Sequence, residues 1–122
     1  QRGEVVIFRS PQDHSQFYIK RIIGLPGEQV QIKNNQITIF NEQNQKGLLL
    51  NESHYLESEA ITPESLKARI GLNEYFVLGD NRLHSSDSRR WGNVNKNLIT
   101  GRVLLRAWPL NKIAKFEPVI YE

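Results

Sequence analysis

The sequence predicts a mostly β fold in one domain. Three observations carry this: short β-branched runs spaced along the chain, strict apolar–polar alternation on both sides of an Asn-Asn pair, and Gly/Pro/Asn turn signals between the runs. Glu4 to Phe8, following Gly3, is the first strand. Gln16 to Ile23 is the second, ending at the turn Gly24-Leu25-Pro26-Gly27. Val30, Ile32, Ile37 and Ile39 alternate with polar residues around Asn34-Asn35. That is a hairpin signal, because asparagine tolerates the positive φ of a two-residue turn. Residues 41–73 read as an excursion or small insertion, Asn/Gln-rich at its start apart from Leu48-Leu49-Leu50. Within it Thr62-Pro63-Glu64-Ser65 predicts a brief helix, with Thr62 as N-cap, Pro63 at the first position and Glu64 at the positive end of the dipole. Strands return at Tyr75 to Leu78 and at Arg102 to Ala107. No repeat and no linker divides the chain, and 122 residues with 39% hydrophobic content suit one core rather than two.

Composition excludes several classes of function. There is no cysteine, so disulfides and thiolate metal sites are ruled out, and His14, His54 and His84 lack ligand spacing, so neither metal nor cofactor is expected. No apolar run reaches the length of a membrane span, and no signal-peptide pattern begins at Gln1. Methionine is absent throughout, which predicts a processed or trimmed protein. The net charge of +3 is unevenly spread. Residues 41–74 carry six acids and three bases, whereas 82–106 carry six bases and one acid. Such a basic segment suits an anionic surface, of lipid or of nucleic acid, and by itself chooses neither.

Two stretches hold the chemistry. Tyr18-Ile19-Lys20-Arg21-Ile22-Ile23 places a lysine inside an apolar strand, with Tyr18, Lys20 and Ile22 on one face and Ile19 and Arg21 on the other. Gly79-Asp80-Asn81-Arg82 through Ser85-Ser86-Asp87-Ser88-Arg89 packs more charged and hydroxyl groups into one loop than a turn requires. An amine with the ordinary lysine pKa of about 10.4 is a poor base at neutral pH, but burial disfavours its charged form. A neutral lysine can take the proton of a serine hydroxyl, and Ser-Lys pairs are a recognised alternative to Ser-His. Its helper should be a hydroxyl that orients the amine without adding negative charge, as Ser85 or Ser86 could. On pattern alone, a lysine between isoleucines is more often an edge-strand lysine reaching for solvent, Gly-Asp-Asn-Arg a turn, and Ser-Asp-Ser a helix cap.

Taken together, these residues resemble bacterial type I signal peptidase. The matching runs are Gly3-Glu4-Val5-Val6-Ile7-Phe8, Tyr18 through Glu28, Tyr75 through Arg82, Ser85-Ser86-Asp87-Ser88-Arg89, Trp91-Gly92 and Gly101-Arg102. They fall in the family's order over nearly the whole chain, and the Lys33-Asn34-Asn35-Gln36 hairpin and Trp108-Pro109-Leu110 also resemble it. The resemblance implies a signal-peptidase-like antiparallel β fold with short helical pieces. It also implies a membrane-associated serine endopeptidase that removes signal peptides from exported preproteins, its catalytic domain (residues 1–122) on the extracytoplasmic face of the bacterial cytoplasmic membrane. Lys20 then matches the general base and Ser85 the hydroxyl orienting its amine. Arg21, Asp80, Asn81, Arg82, Asp87 and Arg89 match the groups that shape the site, and Tyr18 and Ile19 fall where the family lines its pockets for small side chains. Expected partners are signal peptides ending in a small-x-small signal, bound extended beside a strand, and the lipid surface; no nucleic acid is expected.

Leu83-His84 replaces the Asp-Asn pair common after the arginine, at a position that varies in the family. The family nucleophile lies in a Ser-Met-x-Pro motif upstream of the Gly-Glu-Val-Val segment; this chain has no such motif, and Ser10-Pro11 falls after that segment. These 122 residues are therefore expected to be truncated at the N-terminus, to lack the nucleophile and to be inactive alone. Phe8, Phe17, Trp91 and Trp108 are candidates for an apolar rim at lipid, though core packing is the commoner fate of each. Arg89, Arg90, Lys96, Arg102 and Arg106 could meet anionic lipid, and a solvated face is the commoner outcome. Alternatives are another Ser-Lys protease, of the self-cleaving SOS-repressor type, whose mark is not the Gly-Asp-Asn-Arg loop, and a non-catalytic basic binding module. The latter lacks aromatic–basic interleaving.

Overall fold

β1 (Val5–Arg9) and β2 (Phe17–Gly24) form an antiparallel pair in which Val6 faces Lys20 and Val5 faces Arg21. The computed structural model describes residues 1–56 and 61–103. On its other side β2 pairs with β7 (Glu74–Leu78), so the strand bearing Lys20 lies at the centre of a five-stranded sheet, order β8-β7-β2-β1-β9. β8 is Val94–Asn95 and β9 is Ile99–Val103. The second sheet, order β5-β4-β3-β6, is built from β3 (Gln29–Lys33), β4 (Gln36–Phe40), β5 (Leu48–Leu49) and β6 (Leu66–Arg69). Among the described residues every strand pairing is antiparallel. Among the described residues, two short helical pieces, α1 (Ser88–Trp91) and a 3-10 turn at Lys96–Leu98, accompany the strands of this mostly β architecture.

Alternation along β2 and β7 divides the apolar residues between two faces. Ile23, Phe76 and Leu78 point to the second sheet and bury against Val30, Ile32, Ile37, Ile39 and Ile70. Ile22 and Val77, one residue out of phase, bury on the opposite face with Val6, Phe8 and Val94, where Tyr18, Trp91 and Leu98 cover them. Each fully buried aliphatic or aromatic side chain contributes about 1.5–3 kcal/mol, so both faces are substantial sources of stability. The β2–β7 register shifts between Ile22 and Gly24. A side chain at Gly24 would run into Ile70 and Val30, which explains a glycine at the end of a buried strand.

Asn34 and Asn35 have φ of 52° and 70°, as a two-residue hairpin turn demands, and β3 and β4 pair around them from Lys33↔Gln36 to Gln29↔Phe40. The excursion contributes to this sheet at both edges: β5 adds to β4 and β6 adds to β3. No helix forms at 62–65, which corrects the expectation from the capping pattern. Glu64 sits at φ 85°, outside helical space, and Thr62 is engaged elsewhere, its N–H by Asn35 Oδ1 and its hydroxyl by Arg82. The following residues gain more by pairing with β3, Leu66↔Ile32 to Arg69↔Gln29, than an isolated helical turn could return. The last strand starts at Ile99 rather than Arg102; the expected continuation to Ala107, with Arg106 and Trp108-Pro109-Leu110, lies outside the described residues.

Candidate active site

The central strand delivers Lys20 and Arg21 to opposite faces, and the loop after β7 meets both. Lys20 is 2% exposed and its Nζ donates to Ser85 Oγ at 2.9 Å, while Nζ lies 5.5 Å from the Tyr18 ring centroid. It is therefore a buried central-strand lysine, not an edge lysine in solvent. Gly79 lines the same spot. A Cβ there would overlap Ser85 Oγ and lie 2.6 Å from Ser85 Cβ and 3.3 Å from Lys20 Nζ, so the Lys20–Ser85 contact occupies space that only glycine leaves open.

Arg21, fully buried, donates through Nε and Nη2 to both oxygens of Asp80 at 3.0 and 2.8 Å, and through Nη1 to Gly3 O at 2.9 Å. Its guanidinium lies 3.9 Å from the centroid of Tyr55. Such two-pronged geometry fixes the start of the loop more firmly than a single bond would. Asp87 fixes the end. It caps α1 by accepting from Arg89 N–H, forms an ion pair with Arg89 Nη2 at 2.8 Å, and accepts from Gly79 N–H at 3.1 Å. Arg89 also donates to Arg82 O, and Ser88 Oγ accepts from Val77 N–H, so the loop is stitched back to β7.

The expected residues thus divide as follows. Lys20 and Ser85 meet directly; Arg21 with Asp80, and Asp87 with Arg89, form the two pairs framing them. Arg82 is buried and donates to Gly79 O at 2.7 Å, but its carboxylate partner is Glu52, outside the loop. Asn81 is exposed and its carbonyl closes a turn by accepting from His84 N–H. Tyr18 is half-buried on the Lys20 face, stacked on Trp91 with ring centroids 6.0 Å apart; Ile19 is buried on the other face beside Val5, so the two do not share one pocket wall. Trp91 Nε1 in turn donates to Ser86 Oγ at 3.0 Å. Of the aromatic rim candidates, Phe8 is fully buried, Trp91 is partly so, and Phe17 is exposed beneath Arg9.

Three groups escape a reading of the sequence. Glu52, Tyr55 and Thr62 converge on Arg82 and Arg21 from the excursion, and no local pattern announces pairings separated by 20 and 30 residues. Gly79 is visible as part of the loop, though not its role as a spacer. Burial alone would push the Tyr55 phenol up, and the neighbouring Glu52 charge adds to it, so the hydroxyl stays neutral and donates to Glu52 Oε2 at 2.6 Å. Burial works against the charge on Arg82, but the Glu52 hydrogen bonds and charge outweigh it and keep the guanidinium ionised. Among the described residues, no group of His, Cys, Asp and Glu is placed to hold a metal, and no helix is long and apolar enough to cross a membrane.

An antiparallel β chain whose central strand presents a buried lysine to a serine hydroxyl, under a loop held by arginine–carboxylate pairs, brings together groups of the kind that acid–base chemistry uses. The chain belongs to the signal peptidase, peptidase S26, family, whose sequence pattern matches residues 1–108. It is 32% identical to signal peptidase I of Leptolyngbya laminosa over 96% of this chain and 57% of that protein. A probable signal peptidase I-2 of Synechocystis is 35% identical over 93% of this chain and 50% of that protein. Signal peptidase I of Bacillus amyloliquefaciens is 34% identical over 93% and 62%. This chain therefore spans between half and under two-thirds of these curated relatives. The crystal structure of a signal peptidase I from Enterococcus faecalis superposes with a TM-score of 0.67 at 30% identity, covering 84% of this chain and 95% of that one.

Proposed function

We propose that these residues form the catalytic domain, less its nucleophile, of a membrane-associated Ser-Lys endopeptidase that removes signal peptides from exported preproteins on the extracytoplasmic side of a bacterial membrane. The observation that carries this reading is the 2.9 Å hydrogen bond between the buried Lys20 amine and Ser85. Family membership and the similarity to named signal peptidases support it.

Lys20 serves as general base. Burial disfavours an ammonium, so the amine can accept the proton of a serine hydroxyl supplied by a segment preceding Gln1. That hydroxyl oxygen attacks the scissile carbonyl carbon, and the protonated amine returns the proton to the leaving amide nitrogen as the C–N bond breaks. Water then hydrolyses the acyl-serine ester by the same base, regenerating the hydroxyl. Ser85 keeps the amine aimed at the nucleophile. Arg21–Asp80 and Arg89–Asp87 hold the loop that carries it, with Asn81 and Arg82 inside that loop. The preprotein binds extended; Tyr18, on the Lys20 face, contributes to selecting small side chains near the cut, and Ile19, buried beside Val5 on the other face, contributes by supporting that strand.

In full-length protein bearing the upstream segment, Lys20→Ala should reduce processing of a preprotein with a small-x-small signal on the order of 10³-fold or more, with its circular dichroism unchanged. Ser85→Ala should be milder, on the order of 10²-fold. Wild-type turnover in Lys20→Ala rejects the assigned base. Cleavage by residues 1–122 alone places the nucleophile within this chain instead. Full-length protein recovered wholly outside the membrane fraction overturns the membrane assignment.

A further inference from the structure

We propose that Glu52 and Tyr55, on the segment between β5 and β6, are positioning residues of the Lys20–Ser85 site, holding from outside the loop the two arginines that shape it. The idea rests on the proposed endopeptidase reading. It concerns a part of the chain that contributes no residue to the Gly79–Arg89 loop.

The contacts run in one connected path. Glu52 accepts from Arg82 Nη1 at 3.0 Å and Nη2 at 2.6 Å, a two-pronged pair in which the Arg82 side chain is 1% exposed. The remaining Nη1 contact goes to Thr62 Oγ1 at 2.9 Å. With its head group held, Arg82 spends Nε on Gly79 O at 2.7 Å. Gly79 is the residue whose missing side chain accommodates Ser85 Oγ and Lys20 Nζ. On the same segment Tyr55 is tied by its hydroxyl to Glu52 at 2.6 Å and lays its ring against the guanidinium of Arg21, the partner of Asp80. One carboxylate and one ring thus brace both ends of the Gly79–Arg82 turn. Through the two arginines their influence reaches the backbone carbonyl of Gly79 and the side chain of Asp80.

Glu52→Gln leaves the buried Arg82 charge without its compensating carboxylate. Displacements of about an ångström at a catalytic group can cost on the order of 10²-fold in rate. In full-length protein we expect Glu52→Gln and Tyr55→Leu to lower kcat about 10- to 100-fold with KM within about threefold of wild type. Tyr55→Phe, which keeps the ring over Arg21, should retain most of the rate. A readout independent of catalysis accompanies these: hydrogen exchange by mass spectrometry should show peptides spanning 79–89 losing protection in Glu52→Gln and Tyr55→Leu, while 29–40 keeps it. Unchanged protection at 79–89 overturns the proposal, as does a uniform loss over both regions, which marks a general structural role. If the variants exchange as expected but wild-type protein cleaves no preprotein, the endopeptidase reading fails, while the bracing of the 79–89 loop by Glu52 and Tyr55 stands.

Discussion

Gly79 shows how much of the site depends on what one residue lacks. The Lys20–Ser85 hydrogen bond fills the volume a Cβ would take, so Gly79→Ala should displace Ser85 rather than merely stiffen the loop. We expect a loss of activity comparable to Ser85→Ala, on the order of 10²-fold, and a destabilisation of about 1–3 kcal/mol from overpacking. The check is a double-mutant cycle: in a Ser85→Gly background the added methyl meets far less, and its stability cost should shrink. Equal costs in both backgrounds would place the clash elsewhere. That Lys20, Arg21, Asp80, Ser85, Asp87 and Arg89 fall in one strand and one loop was legible in the sequence, whereas their separate roles came from the family resemblance and not from spacing. Asn81 read as a site-shaping side chain stands exposed, and the partner of Arg82 was invisible, since a carboxylate 30 residues away leaves no trace in local pattern.

At the scale of elements, legibility followed how strongly each segment dictates its own conformation. β1, β2 and β7 lie within one residue of their predicted bounds because β-branched runs bounded by turn residues admit few alternatives. The Asn34-Asn35 hairpin is as predicted because both turn residues need positive φ. Here substitution should be graded by φ tolerance. Asn34→Val should cost about 1–2 kcal/mol in urea unfolding, and Asn34→Gly should be near neutral. Equal midpoints for the two variants would show that the turn relaxes to another type. Asn35 is a less clean position, since its side chain also accepts from Thr62 N–H. The misread helix at 62–65 has the opposite cause. Its capping signals were sound but worth only about 1 kcal/mol, and they lost to β3's unsatisfied edge, which the alternating Leu66-Lys67-Ala68-Arg69 could pair. β5, two residues long, carries too little pattern to be read at all.

The whole molecule depends on contacts that join segments far apart in sequence, and Glu28 is the clearest of these. Its carboxylate accepts from Arg2 Nη1 and Nη2 at 2.6 and 2.8 Å, from Asn41 Nδ2 at 2.8 Å and from Leu25 N–H at 2.8 Å. The segment before β1, the turn after β2 and the loop after β4 are thereby fastened at one point, tying the two sheets together beyond their shared core. Burial alone would push this carboxyl up, but the hydrogen bonds from Arg2, Asn41 and Leu25, with the Arg2 charge, outweigh it and hold it below the ordinary glutamate value of 4.5. The sign of the pH dependence follows. A carboxyl whose folded-state pKa is depressed binds its proton more readily in the unfolded chain. Its contribution to stability is therefore fully present above pH 4.5 and is lost as the pH falls through its lower folded value. Glu28→Gln keeps the shape but not the charge, and should cost about 1–3 kcal/mol at pH 7. Below pH 4.5 the urea midpoints of wild type and Glu28→Gln should converge, because protonation removes from the wild type what the substitution has already removed. Midpoints that fall in parallel through that range would assign the acid sensitivity to other carboxylates and leave Glu28 a neutral participant in the fold.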